Sequence, residues 1–240
     1  MSEAETVPEE DGQSSEQSLE LRRSSPVYFR CSDDTFFAYE VHRFVAHILF
    51  GKMLFRIRHY GVENIPAEGG VVFASNHQCF FDPLLVGMGS KRQLIFMARA
   101  SALKIPIIGK WIAAMNAFPV ERGTADIGAI RRAVEAVSDG RILLMFPEGT
   151  RSQDGTIGVI RPGCILIAQK AESPIVPVAI RGAYEAWPRQ NKLPRFGKVS
   201  IAYGPPIEPG RNREDAKQVQ EFLTSEIHRL YQSLGWRYEA

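Results

Sequence analysis

The chain has 240 residues, 45% of them hydrophobic, enough for one α/β domain whose core folds without covalent staples. Its three cysteines, Cys31, Cys79 and Cys164, are widely separated, with no CxxC pair and no metal-ligand spacing, so they read as free thiols in a reducing compartment. The net charge of +2 hides an asymmetry: residues 1–20 hold seven of the 27 acids and no Lys or Arg, leaving 20 acids to face all 29 cations. That mildly basic body suits anionic partners and is too diffuse to argue for nucleic acid.

Residues 1–26 are rich in Ser, Glu and Gln and poor in large apolar side chains, the composition of a disordered acidic tail. This tail has neither the charge nor the apolar run of a signal peptide. No stretch reaches the ~18 uninterrupted apolar residues of a spanning helix. The segment 27–61 differs. From Phe37 to Ile57, apolar residues recur at helical spacing, and Arg43, Lys52, Arg56 and Arg58 outnumber the single acid Glu40. It reads either as a core helix pair broken near Gly51 or as an interfacial helix with its apolar face in lipid and its cations at headgroups.

Residues 62–240 form the expected main domain. Short buried strands are expected over 69–75, 92–98, 141–146, 174–182 and 198–204. Pro177 weakens the fourth of these or moves it to an edge. Helices are expected over 125–140, ended by Gly140, and over 161–171, with Pro162 in its first turn. Another is expected over 213–234, with Val219, Phe222, Leu223, Ile227, Leu230 and Leu234 on one stripe. Strands alternating with helices make the fold class α/β: a mixed, largely parallel sheet flanked by helices, with the amphipathic helical segment before it.

In such sheets, reactive groups gather beyond the carboxyl ends of the strands. Two polar loops follow strands here, "SNHQCFFDP" from Ser75 and "PEGTRSQDG" from Pro147. Parallel strands would place both on one edge. His77 and Asp82 stand five apart, ~140° around an ideal helix and too far to touch on one. The loop must turn to bring the carboxylate back, and a carboxylate on one ring nitrogen leaves the other as a base. Spacing alone leaves two plainer readings open: a satisfied structural histidine, and Asp82 as an N-cap before Pro83. The second loop packs Glu148, Gly149, Thr150 and Arg151 directly after a buried strand; Gly permits close approach to a ligand and Arg offers a planar fork for phosphate. A third cluster holds Arg99, Lys104, Gly109 and Arg122.

The order of these blocks resembles the glycerolipid acyltransferase family, the 1-acylglycerol-3-phosphate acyltransferases and their relatives. "NHQCFFD" looks like the family's NHx4D block and "FPEGTRS" matches its block of that form. "FPVER" resembles the F-x-x-R block, "VPVAI" the last one, and "KIPIIG" the pattern upstream of the arginine. The resemblance spans about residues 55–207. Cys79 stands where Ser is frequent and Arg99 where Lys is common; the second change keeps the charge but alters donor geometry.

The resemblance implies transfer of a fatty acyl group from an acyl-CoA or acyl carrier protein thioester to a lipid hydroxyl. The most fitting acceptor is 1-acylglycerol-3-phosphate, giving phosphatidate. His77 is then the general base and Asp82 its orienter. Arg122, Glu148, Gly149, Thr150 and Arg151 shape the acceptor site, with Glu148 expected to hold Arg151 or Arg122. Phe80, Phe81 and "KIPIIG" are candidates for an acyl channel. The resemblance calls for no metal and no cofactor beyond the thioester co-substrate. Its implied partners are the lysophospholipid, the acyl donor and a membrane surface, not nucleic acid. The implied location is the cytoplasmic side of a membrane, peripheral or monotopic. Competing readings are acyl transfer to another lipid or amino-lipid, a thioesterase-like hydrolase, and a non-catalytic lipid-binding protein of the same fold.

Overall fold

A computed structural model describes residues 55–106, 108–120, 126–191 and 193–238. The acidic tail, the amphipathic segment up to residue 54, and Arg122 lie outside the described residues.

Seven strands form one sheet: β1 (Ile57–Tyr60), β2 (Val71–Ser75), β3 (Leu94–Arg99), β4 (Ala117–Val120), β5 (Ile142–Met145), β6 (Ile175–Arg181) and β7 (Val199–Tyr203). Their order is β1-β7-β6-β2-β5-β3-β4. Every neighbouring pair is parallel except β6 and β7, so the sheet is mixed and largely parallel, as the alternation of elements predicts. The helices are α1 (Asp82–Gly87), α2 (Ala100–Leu103), α3 (Ile108–Ala114), α4 (Ile127–Ser138), α5 (Gly163–Lys170), α6 (Ala183–Ala186) and α7 (Arg213–Tyr238).

Strand β2 is buried along its whole length, as a central parallel strand covered on both faces must be. Its side chains alternate between two cores. Val71 and Phe73 join a cluster with Leu85 of α1 and Ile112 of α3. Val72 and Ala74 join one with Ala133 of α4, Ile165 of α5 and Leu223 of α7. Helix α4 begins where the Asp126 carboxylate accepts the Ala129 N–H at 2.8 Å, an N-cap. It buries the face made by Ala129, Ala133, Ala136 and Val137.

Three expectations change and one unforeseen strand is added. Residues 57–60, read as the end of a helical segment, are strand β1, paired in parallel with β7. "AFPV" at 117–120 is strand β4. Both are four-residue edge strands, too short for periodicity to mark them. Pro177 sits inside an interior strand, with no shift to an edge. It is tolerated because the antiparallel register slips by one residue between the Val178–Tyr203 pair and the Ile175–Ile207 bridge. The Pro177 carbonyl still accepts from Gly204 N–H at 2.8 Å, and its missing N–H falls at the slip. On α7, Leu223, Ile227, Leu230 and Leu234 are buried, but Phe222 is 54% exposed. One residue before Leu223, it lies about 100° off the seam.

Strands β2 and β5 are adjacent and parallel, with Val71 opposite Ile142 and Ala74 opposite Met145. The loops that follow them therefore leave the same sheet edge side by side.

Candidate active site

The loop after β2 is fixed before it turns. The buried Asn76 side chain donates to the Ile180 carbonyl at 2.9 Å and accepts from the Ile180 N–H at 2.7 Å. An amide thus stands in for one more strand residue and prolongs the β2–β6 ladder past its last pair, Ser75–Val178. Sequence reasoning passed over Asn76. The signal available was an amide residue directly after a fully apolar strand, where an unsatisfied polar group would be costly.

Beyond Asn76 the chain folds around the Asp82 carboxylate. Its Oδ2 accepts from Gln78 N–H at 2.5 Å and Cys79 N–H at 2.8 Å, and lies 2.7 Å from His77 Nδ1. The turn through Phe80 and Phe81 therefore carries Asp82 back to the imidazole. Asp82 is fully buried, and the His77 side chain is 17% exposed. A buried carboxylate is tolerable when hydrogen bonds and a partner charge compensate it, and here one oxygen takes three donors. Asp82 is not the N-cap: Phe81 holds that position without a side-chain bond, and Asp82 is the first helical residue, its carboxylate turned back over the loop. A carboxylate accepts only, so Nδ1 carries the proton and Nε2 has the lone pair.

The loop after β5 supports His77 from three sides. Glu148 Oε1 accepts the His77 N–H at 2.7 Å, and Ser152 N–H donates to the His77 carbonyl at 2.8 Å. The Phe146 ring stacks on the imidazole, centroids 3.9 Å apart and planes 18° apart. Glu148 Oε2 takes the Gly158 N–H at 2.8 Å, which ties in the next stretch of chain. A Cβ at Gly158 would lie 2.8 Å from that oxygen, so a larger residue there would push the carboxylate aside. Among the described residues the Glu148 carboxylate takes backbone N–H groups rather than Arg151; Arg122, the other partner expected for it, lies outside them. Burial raises the Glu148 pKa above the usual carboxylate range, against the lowering effect of the Gly158 and His77 N–H groups.

Gly149 adopts φ +73°, the left-handed conformation that lets its N–H close a turn onto the Phe146 carbonyl at 2.9 Å. That turn sends Thr150 and Arg151 toward a cleft of about 260 Å³ whose lining includes His77. Arg99 at the end of β3 and Arg189 after α6 add cations to the same cleft. Its apolar wall includes Phe80, Phe81, Leu84 and Phe96. Of the "KIPIIG" stretch, Ile107 and the Ile108 side chain lie outside what the structure describes, and Lys104, Ile105, Pro106 and Gly109 do not line the cleft; Ile112 and Met115, further along, do. The stretch makes a tight return onto α2: the Gly109 N–H bonds the Ile105 carbonyl at 2.7 Å, and a Cβ on Gly109 would collide with the Leu103 carbonyl. Phe80 and Phe81 also meet Trp187, at 6.2 and 4.8 Å between centroids, forming an aromatic corner.

Cys79 is no nucleophile in this setting. Its thiol is buried and its pKa is pushed well above the usual value, first by burial and then by the Asp82 charge. What remains is a histidine oriented by a carboxylate, set between an apolar wall and a group of cations.

The family model described as Acyltransferase matches residues 56–181, just over half of the chain. The chain belongs to the acyltransferase family. Among its acyltransferase relatives is a Bacillus subtilis protein named 1-acyl-sn-glycerol-3-phosphate acyltransferase, 29% identical over 184 residues covering 74% of this chain and 89% of that one. A Brassica napus protein named 1-acyl-sn-glycerol-3-phosphate acyltransferase BAT2, chloroplastic, is 32% identical over 152 residues, 61% of this chain. The chain spans less than half of that plant relative, 44% of its length. The crystal structure of the 1-acyl-sn-glycerophosphate acyltransferase PlsC from Thermotoga maritima superposes with TM-score 0.70 at 24% identity, covering 91% of this chain and 89% of that one, and so shares its fold.

Proposed function

We propose that the protein is an O-acyltransferase that moves a fatty acyl group from a thioester to the free hydroxyl of a lysophospholipid, with 1-acylglycerol-3-phosphate as acceptor and phosphatidate as product. The observation that carries this reading is the 2.7 Å contact between His77 Nδ1 and the buried Asp82, with the ring lining a cleft that is apolar on one side and cationic on the other. The names of the relatives favour the same acceptor.

The chemistry follows from the residues. An alcohol is a weak nucleophile until a base takes its proton. His77 Nε2 accepts the acceptor's hydroxyl proton as the oxygen attacks the thioester carbonyl. Asp82 stabilises the imidazolium that forms. Collapse of the tetrahedral intermediate breaks the carbon–sulfur bond, and the imidazolium returns its proton to the leaving thiolate. General-base assistance of this kind contributes roughly 10²–10⁴-fold. Arg151, with Thr150 beside it, takes the acceptor phosphate, and Arg99 and Arg189 add to the positive field; Arg122 belongs to the same role by its block. The apolar wall accommodates acyl chain. Glu148 acts through His77, as a positioning residue.

The donor is acyl-CoA or acyl carrier protein, and the protein works at the cytoplasmic face of a membrane as a peripheral or monotopic enzyme. Purified protein supplied with each thioester and a panel of lysophospholipids, analysed by lipid mass spectrometry, tests the reading. Phosphatidate formed from lysophosphatidate, and lost in His77→Ala with folding intact, is the expected result. Full activity in that variant would overturn the mechanism, and a different preferred acceptor would overturn the substrate.

A further inference from the structure

The connection between α6 and β7 carries a feature that the chemistry does not use. Residues 188–198, "PRQNKLPRFGK", contain four Lys and Arg and no acid. Two large apolar side chains on it face solvent, Leu193 at 77% and Phe196 at 83% exposed. A lone exposed apolar residue needs no explanation. Two on one short loop, separated by Pro194 and Arg195, form a cationic and apolar tip.

The tip is presented on a fixed base. Arg195 N–H donates to the Ala186 carbonyl at 2.7 Å, and Trp187 Nε1 donates to the Asn191 carbonyl at 3.0 Å. Gly197 packs against Ala186, where a Cβ would approach within 3.2 Å of the alanine methyl. Trp187 is the residue that meets Phe80 and Phe81, and Arg189 lines the cleft itself. The loop therefore starts at the wall of the active site and returns beside it. These hydrogen bonds hold the backbone at Asn191 and Arg195 in advance, which lowers the ordering cost of docking.

We infer that this loop is a docking element for an anionic lipid bilayer, with Leu193 and Phe196 entering the headgroup–acyl boundary and Arg195 and Lys198 meeting lipid phosphates. Charge complementarity selects the occupant. A surface with exposed apolar tips ringed by cations fits the two-part recognition of an acidic membrane interface. Its place at the cleft wall would set the entrance of the acyl site against the leaflet that holds the acceptor; in this the inference rests on the proposed lipid acyl transfer.

The direct test uses the full chain with Cys31→Ser and Leu193→Cys, labelled with an environment-sensitive fluorophore. Cys79 and Cys164 are buried and do not compete for label. With vesicles of phosphatidylcholine plus phosphatidylglycerol, the expected result is a blue shift and quenching by lipids brominated in the acyl chain. No shift, or a shift that grows with protein concentration without vesicles, overturns the inference; the second outcome assigns the tip to a second copy of the chain. In parallel, Leu193→Ser with Phe196→Ser should lower turnover of vesicle-embedded lysophosphatidate by about tenfold or more, leaving a monomeric short-chain acceptor unaffected. Arg195→Gln and Lys198→Gln should each cost about fivefold in affinity for acidic vesicles and little for neutral ones. Equal losses on both acceptors would overturn the docking role. Label insertion without acyl transfer by the native chain would leave the docking element standing and remove the proposed activity.

Discussion

The two loops that leave the sheet edge side by side are built on opposite plans. The loop after β2 is inward-looking: Asn76, Gln78, Cys79 and Asp82 are all buried, and its hydrogen bonds fold it around Asp82 and tie it to β6. The loop after β5 is outward-looking: Gly149 and Thr150 are exposed, and its main inward commitments are to the backbone and ring of His77. One loop carries the His77–Asp82 pair and the other holds it in place while facing the cleft. The same short sequence block thus braces His77 through Glu148 and, in the proposed function, meets the acceptor through Arg151.

That division should show in kinetics, most strongly where the pair itself is broken. His77→Ala should reduce turnover by about 10²–10⁴-fold. Its unfolding free energy should stay within about 1 kcal/mol of the native chain, as urea titration would show. Asp82→Asn should lose activity on a similar scale and stability as well. The amide no longer stabilises the imidazolium, and its NH₂ would fall where Oδ1 is buried without a hydrogen-bond partner among the described residues. Leaving such a group unsatisfied costs about 1–3 kcal/mol. An Asp82→Asn protein with native stability and native rate would erase the inward-looking plan.

The outward-looking loop should respond differently at adjacent positions. Arg151→Gln should raise KM for a phosphate-bearing acceptor by about ten- to a hundredfold, with kcat largely kept, since a charge-assisted hydrogen bond is worth roughly 1.5–3 kcal/mol. Glu148→Gln should reverse that pattern. One of its two backbone bonds survives on the amide oxygen, so His77 is loosened without being released, and kcat should fall about tenfold with KM nearly constant. Matching KM defects in both variants would mean that Glu148 belongs with the ligand-facing residues.

Sequence pattern revealed the parts whose physics is local. Buried apolar runs marked five strands, and block order brought His77, Asp82, Thr150 and Arg151 to one edge. Periodicity could not reveal contacts made by backbone atoms. The clasp from Glu148 to the N–H groups of His77 and Gly158 joins positions 71 and 10 residues apart and leaves no trace in spacing. An acid near two arginines suggested an ion pair, yet the partners found among the described residues are main-chain donors. Asn76 was missed for the same reason, since its partner in β6 is 104 residues away. Pro177 misled because strand rules assume an unbroken ladder, and the one-residue slip after β7 breaks it at that place.

The smallest predicted effect probes the same clasp through protonation. Burial raises the Glu148 pKa in the folded chain above its value in the unfolded one. Between those two values the folded state binds more protons than the unfolded, so stability falls as pH rises through that window. Glu148 thus contributes a slope opposite to that of a carboxylate held below its usual range. The N–H groups of His77 and Gly158 oppose burial, so the slope should be shallow. Urea titrations of the native chain and Glu148→Gln at closely spaced pH values above the ordinary carboxylate range should show the difference in stability widening with acidification in favour of the native chain. Parallel curves would mean that the carboxylate is as well solvated in the fold as outside it, and that the clasp is looser than its two short contacts indicate.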